Sequence, residues 1–152
     1  ADVDHLAAAS LPAEDLIFGR FDSPAVREAN ERVARADVVI VASPVYKASY
    51  TGLLKTLLDL LPQKGLEGKT VLSVMIGGTI AHLLAIEFAL KPVLSALGAR
   101  RFAGEVYALD AQVERKETPE GIIFELQDEL RERLDAAAAK LLAETADAAV
   151  RV

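Results

Sequence analysis

The fold is decided by two apolar runs, Asp37 to Ser43 (DVVIVAS) and Thr70 to Ile76 (TVLSVMI). Both runs place Val, Ile or Leu on consecutive positions, which is typical of strands covered by helices on both faces of a parallel sheet. A weaker run, Phe102 to Leu109 (FAGEVYAL), predicts a third strand, and Val3 to Leu6 predicts a fourth. Because helical patterns separate these runs, we expect an α/β fold with a parallel sheet.

Four helices are expected between and after the strands. Ser23 as N-cap and Pro24 at the first helical position predict a helix that ends before the strand at Asp37. A leucine-rich helix follows over residues 53–61, and a third spans residues 79–97, with the Thr79 hydroxyl as its cap. A long helix is expected from about Pro119. Its apolar stripe consists of Ile123, Leu126, Leu130, Leu134, Ala137 and Leu141.

The third helix contains a proline where a continuous helix would need a donor. Pro92 lacks a backbone N–H and clashes with the carbonyl four residues earlier, at Phe88. A bulge or kink around Phe88 is therefore expected.

Composition favours one globular domain over residues 1–152 and excludes several function classes. The chain is 52 % hydrophobic and 26 % charged, and 17 Lys and Arg against 23 Asp and Glu give a net charge of −6. This balance argues against nucleic-acid binding, which needs a basic face. The lack of Cys and the distant pair His5 and His82 argue against a metal site. No apolar run reaches the roughly 18 residues of a membrane span, and a cytoplasmic location is expected.

Two segments that leave strands carry the candidate site. Pro44, Val45, Tyr46 and Lys47 follow the first strand, and Gly77, Gly78 and Thr79 follow the second. In open parallel sheets, ligands bind beyond the carboxyl ends of the strands, where glycines admit close approach and free amides face the ligand. Two adjacent loops of this kind could hold the edges of one planar ligand. Taken alone, each loop could equally be an ordinary strand-to-helix connection.

These segments also carry a family resemblance. The stretch SPVYKASYTGLLKTLLDLLP (43–62), followed by GGTIAHLLAIEFALKPVLSALGA (77–99), resembles the NADPH-dependent FMN reductase family. It is most similar to the reductases that supply reduced flavin to alkanesulfonate monooxygenases, and LPAEDLIFGRFDSPAV (11–26) matches the same subgroup. The resemblance extends from about Val3 to Gln112 and thins in the C-terminal helix.

The resemblance implies a flavodoxin-like sandwich with strand order 2-1-3-4-5, in which Val3 to Leu6 is strand 2. Strand 1, its phosphate loop and the first helix have no counterpart in the sequence, so we expect a piece of a longer protein, with strands 2 and 3 left as unpaired facing edges. The implied FMN-binding residues are Pro44, Val45, Tyr46, Lys47, Gly77, Gly78, Thr79 and His82. For His82, a polar role at a helix or subunit boundary is the alternative.

The implied activity is hydride transfer from NADPH to FMN, with release of reduced FMN to a monooxygenase partner in sulfonate desulfurisation. Such transfer needs close stacking and exclusion of water rather than acid–base chemistry, so no catalytic acid or base is assigned. The helix over residues 79–97 is apolar on more than one side, which predicts contact with another subunit. The resemblance implies that this contact forms a homodimer or homotetramer. Phe88 stands where the subgroup carries an inserted π-helical residue near the flavin; a place in the core is the alternative.

Other functions remain open at this stage. An enzyme of the same fold could reduce a quinone, an azo dye or a metal ion. A flavodoxin-type electron carrier or a flavin-binding module without NADPH activity would share the same loops. A phosphorylated receiver domain is disfavoured, because the strand that should end in Asp ends in Ser43-Pro44.

Overall fold

Three parallel strands form the central sheet of the chain. The computed structural model describes residues 2–150, with side chains through Thr145. The strands are β1 (Val38–Pro44), β2 (Thr70–Gly77) and β3 (Arg101–Leu109), in the order β1-β2-β3. The three main apolar runs are thus confirmed as strands, and their order matches strands 3, 4 and 5 of the expected sheet.

The helices cover both faces of this sheet. They are α1 (Ala13–Ile17), α2 (Pro24–Arg35), α3 (Gly52–Asp59), α4 (Lys91–Ala96) and α5 (Asp128–Val150). Alternate residues of β2 face opposite sides. Val71 and Met75 pack in the cluster that α3 and α4 help to form, whereas Leu72 lies in a cluster with Leu141 of α5. In the described part of the chain, no helix is both long and apolar enough to cross a membrane.

The start of α2 differs from the prediction in one detail. Pro24 is the first helical residue, as expected, but the Ser23 side chain makes no capping bond to the helix. Its hydroxyl donates instead to the buried carboxylate of Asp15, which also faces the Arg20 guanidinium. Ser23 is thus the N-cap residue as predicted, and its carbonyl accepts from the Arg27 amide, but its hydroxyl bonds to a buried acid instead of capping the helix.

The predicted strand at Val3 to Leu6 is also wrong. The segment has no secondary structure, its Val3 side chain is exposed, and Asp4 forms an ion pair with Arg32 of α2. A β-ladder needs a neighbour, and no described strand lies on the outer side of β1. β1 is consequently an edge strand and leaves Ile40 exposed, as expected for strand 3.

The helix predicted over residues 79–97 is broken into three segments. A 3₁₀ turn (Ile80–His82) is followed by a π-helical turn (Ile86–Leu90) and then by α4. The bulge expected around Phe88 is confirmed, and Pro92 lies just after it, in the first turn of α4. The Thr79 hydroxyl accepts from the Ala81 amide at 3.3 Å, so the predicted cap is present. Phe88 is 73 % exposed, which overturns its place in the core.

The long helix predicted from Pro119 begins later than expected. An antiparallel hairpin of β4 (Val113–Thr118) and β5 (Gly121–Leu126) precedes α5. Pro119 lies in the hairpin turn, which the Thr118 hydroxyl closes by donating to the Gly121 carbonyl at 2.8 Å. Ile123 and Leu126 therefore belong to β5 rather than to the helical stripe. The other four stripe residues pack against the sheet: Leu130, Leu134, Ala137 and Leu141.

Candidate functional site

The two candidate loops lie side by side at the carboxyl edge of the sheet. The amide of Val45, just beyond β1, donates to the carbonyl of Ile76 near the end of β2, at 2.7 Å. A Cβ placed on Gly77 would lie 3.3 Å from the Cβ of Val45. The parallel pairing of Pro44 with Ile76 thus brings together the segments that the sequence predicted to share a site.

The first loop is anchored at both ends and exposed in the middle. The Ser43 hydroxyl accepts from the amide of Thr51 at 3.0 Å, which ties the end of β1 to the start of α3. Between them, Tyr46 and Ser49 exchange backbone hydrogen bonds of 2.9 and 3.2 Å. The Tyr46 side chain is 66 % exposed. The loop therefore presents an aromatic ring to solvent from a closed backbone turn.

The turn contains two residues in the left-handed region. Lys47 has a φ of 51° and Ala48 a φ of 64°, and neither is glycine. A left-handed conformation costs a non-glycine residue about 1 kcal/mol, and such strain persists only where the surrounding structure imposes it. Here the imposing contacts are the backbone bonds of the turn. The Lys47 side chain is exposed and carries the positive charge of this loop.

The second loop combines a buried glycine with two exposed residues. Gly77 is buried, whereas Gly78 and Thr79 are exposed. Among residues 2–145, no oxygen accepts a hydrogen bond from the amide of Gly78 or of Thr79. Two backbone donors are therefore available at the edge of the sheet, next to the Tyr46 loop.

A residue that the sequence did not single out holds this second loop. Tyr107 of β3 is buried, and its hydroxyl donates to the carbonyl of Thr79 at 2.8 Å. Burial, reinforced by the negative charge of Asp110, raises the pKa of the Tyr107 phenol above its ordinary value. Its hydroxyl therefore stays protonated, and able to donate, throughout the neutral range. The sequence signal was a lone Tyr within an apolar strand, which more often indicates core.

His82 occupies the 3₁₀ turn that follows Thr79, and its side chain is exposed. Acidic groups are sparse at this edge. Asp110 is the carboxylate nearest to Gly78, with an oxygen 3.6 Å from where a Cβ on Gly78 would lie. No group of three or more His, Asp or Glu residues able to hold a metal ion occurs in the described structure.

The exposed residues of the two loops include Tyr46, Lys47, Gly78 and Thr79. Two concave regions of the molecule lie elsewhere. One, of about 520 Å³, lies beside the connection from α1 to α2, around Asp15 and Arg20. The other, of about 330 Å³, lies between β3 and α5, around Gly104 and Arg133.

Comparison with protein families gives a match over most of the chain. A family model described as NADPH-dependent FMN reductase matches residues 1–114. That range contains both loops, β1 to β3 and the π-helical segment. The remainder, which carries the hairpin strand β5 and α5, lies beyond the match.

Curated relatives carry names of the same kind. The chain is 54 % identical over 112 residues to an FMN reductase (NADPH) of Escherichia coli strain K12, covering 74 % of this chain and 59 % of that protein. It is 50 % identical over 127 residues to an FMN reductase (NADPH) of Pseudomonas putida strain KT2440, covering 82 % and 64 %. An NADH-dependent FMN reductase, SfnF, of Pseudomonas putida is 38 % identical over 78 residues, covering 51 % and 42 %. The chain thus spans about three fifths of the length of the first two relatives.

Solved structures agree with the fold. The apo form of an NADH:FMN oxidoreductase (EMOB) superposes with a TM-score of 0.77 at 34 % identity, covering 91 % of this chain and 70 % of that one. An oxidoreductase from Corynebacterium diphtheriae superposes with a TM-score of 0.69 at 29 % identity, covering 88 % and 70 %. The flavodoxin-like arrangement expected from the sequence is therefore confirmed for the part of the sheet that the chain contains.

Proposed function

The chain belongs to the NADPH-dependent FMN reductase family, and from this membership we propose that it forms the flavin-binding edge of an NADPH-dependent FMN reductase. The observation that carries the proposal is the pairing of the two loops. Tyr46 offers an exposed aromatic face, and the amides of Gly78 and Thr79 offer unbonded donors on the neighbouring loop. An aromatic plane and a polar edge are what a flavin ring requires from its site.

The residues of the two loops fit an isoalloxazine ring. Pro44, Val45, Tyr46 and Lys47 would lie along one edge of the ring, and Gly77, Gly78 and Thr79 along its pyrimidine side. The buried Gly77 fits this role, because any side chain there would meet Tyr107 and displace the turn. His82 would border the same region from the next turn. Bound FMN would supply the ring that accepts a hydride from NADPH.

In this proposal the chain positions the flavin ring and shields it from water. It does not transfer protons. Hydride transfer between two stacked rings depends on close approach and on the exclusion of water. The exposed side of Tyr46 can cover part of the flavin ring, and the closed turn around Lys47 holds Tyr46 in that position. No acid or base is needed at the carboxyl edge, and we assign none.

We propose that flavin is a substrate that is bound, reduced and released to a reduced-flavin-dependent monooxygenase. The resemblance of residues 43–62 and 77–99 to reductases of alkanesulfonate systems supports a partner of that class, with sulfonate desulfurisation as its reaction. An electron carrier would instead need to hold its flavin tightly.

We further propose that the segment over residues 79–97 packs against a second copy of the chain in a homodimer or homotetramer. Four of its apolar side chains are exposed, namely Ile80, Leu83, Leu84 and Phe88. Sedimentation of the unmodified protein and of Leu84→Glu tests this proposal. The charge should shift the unmodified oligomer to monomer, and an unchanged mass would contradict it.

The reductase proposal is tested by following NADPH oxidation with and without added FMN, after checking the purified protein for bound flavin. A rate that rises and saturates with FMN is expected. A yellow protein that leaves NADPH untouched would favour the carrier. A rate that responds to quinones or azo dyes but not to FMN would favour a different acceptor on the same fold.

A further inference from the structure

Tyr107 links β3 to β2 and to the turn after β2 at the candidate site. It belongs to β3 and pairs in register with Met75 of β2. Its hydroxyl reaches the turn after β2, where it donates to Thr79. A Cβ on Gly77 would lie 2.3 Å from that hydroxyl, so the phenol fills the space that this glycine leaves.

Both the backbone and the ring of Tyr107 are held by other parts of the fold. The Arg133 guanidinium of α5 donates to the Tyr107 carbonyl at 2.8 Å. The ring lies in the core cluster formed with α3 and α4. The position of the hydroxyl is therefore set by β3, by α5 and by the core, and not by the exposed turn that it contacts.

We propose that Tyr107 is a positioning residue for flavin: its bond to the Thr79 carbonyl and its contact with Gly77 hold the turn so that the amides of Gly78 and Thr79 can donate to the ring. This inference rests on the proposed function. The Thr79 carbonyl is occupied from the inner side, which leaves the exposed side of the turn to its two free N–H groups. A turn without this bond would have to order itself when flavin binds.

Removing only the hydroxyl should weaken flavin binding without disturbing the core. Tyr107→Phe keeps the ring among its neighbours and removes only the donor to the Thr79 carbonyl. A net hydrogen bond of ordinary strength corresponds to roughly a three- to tenfold change in an equilibrium constant. We expect the FMN dissociation constant and the KM for FMN to rise by that factor, and kcat to change less than about twofold.

The experiment measures two quantities on the full chain. One is the FMN dissociation constant from flavin fluorescence titration, and the other is amide hydrogen exchange of the peptide that contains residues 77–82 in the free protein. The matched control is Thr118→Val at the hairpin tip, which removes another hydroxyl-to-carbonyl bond of 2.8 Å. Tyr107→Phe should speed exchange of the peptide and raise the dissociation constant, whereas the control should do neither.

The outcomes separate this inference from the proposed function. Unchanged exchange and affinity in Tyr107→Phe would overturn the inference while leaving a reductase in place. A rise in the dissociation constant equal to that of Thr118→Val would also overturn it, because the effect would then be one of general stability. Failure of the unmodified chain to bind FMN would overturn the proposed function and the flavin part of the inference. The exchange data would still decide whether Tyr107 holds the turn.

Discussion

β2 and β5 carry similar apolar runs but lie in opposite environments. β2 reads TVLSVMIG, and its Val71 and Met75 side chains are completely buried. β5 reads GIIFEL, and its Ile122, Ile123 and Phe124 side chains are 44–64 % exposed. The difference cannot come from apolar content, because β5 has consecutive apolar residues as well.

The neighbours of each strand explain the contrast. β2 lies between β1 and β3 and is covered by helices on both faces. In the described part of the chain β5 pairs with β4 alone, and its Leu126, like Val113 of β4, packs in the cluster around Leu130 of α5. A two-stranded hairpin is marginally stable by itself, so β4 and β5 depend on those contacts. Burial in this chain is thus set by position in the sheet.

The largest effect is expected from truncating Met75, the largest completely buried side chain of β2. Met75→Ala removes a fully buried side chain and leaves a cavity between the sheet and the helices. Such changes cost about 2–5 kcal/mol of unfolding free energy. We expect a loss in that range, measured by urea denaturation.

The control for this prediction is Ile123→Ala in β5. Its side chain is already largely in water, so the loss should stay below about 1 kcal/mol. Equal losses for the two variants would show that the hairpin is buried in solution, for example against another copy of the chain. β2 and β5 would then not differ in burial.

The strands of the central sheet could be predicted because their composition and their environment agree. Consecutive Val, Ile and Leu residues predict a strand buried on both faces, and β2 is buried in this way. β1 is also a strand, but as an edge strand it leaves Ile40 exposed. β5 was missed because Ile123 and Leu126 also fit the stripe of a helix, three residues apart. The turn Thr118-Pro119-Glu120-Gly121 was the signal that favoured a hairpin instead. A strand at Val3 to Leu6 failed because pairing requires a neighbour that a local pattern does not reveal.

In the candidate site, too, the local sequence pattern does not reveal which segments become neighbours. The loops after β1 and β2 follow from the rule that parallel strands direct their carboxyl ends to one edge. Tyr107 could not be found in this way, because its hydroxyl contacts a turn 28 residues away in sequence. Only the register of β3 on β2, which includes an irregularity between Val71 and Leu72, places the phenol beneath that turn.

A second test compares the two glycines at the end of β2. Gly77→Ala would place a Cβ 2.3 Å from the Tyr107 hydroxyl, whereas Gly78→Ala meets nothing closer than 3.6 Å. Overpacking of this kind costs about 1–3 kcal/mol. We expect such a loss for Gly77→Ala and less than about 0.5 kcal/mol for Gly78→Ala, by the same denaturation assay.

The double variant identifies the cause of that loss. If the hydroxyl is the obstacle, Tyr107→Phe should relieve part of the cost of Gly77→Ala, and the two changes should not be additive. Additive losses would place the strain at atoms that Tyr107→Phe leaves in place, namely the ring carbon Cζ at 3.2 Å and the Cβ of Val45 at 3.3 Å from the added Cβ.

The smallest expected effect is the pH dependence that Tyr107, next to β2 in the sheet, gives to the free energy of unfolding. Burial first, and then the Asp110 charge, raises the pKa of its phenol in the folded protein above the value in the unfolded chain. The stabilising contribution is therefore complete below about pH 10, the ordinary tyrosine pKa, and is lost as the pH rises through the higher folded value. The stability difference between the unmodified protein and Tyr107→Phe should be constant near neutral pH and should narrow above about pH 10. A difference that stays constant to higher pH would mean that water reaches the phenol, and β3 would then protect its side chains less than β2 does.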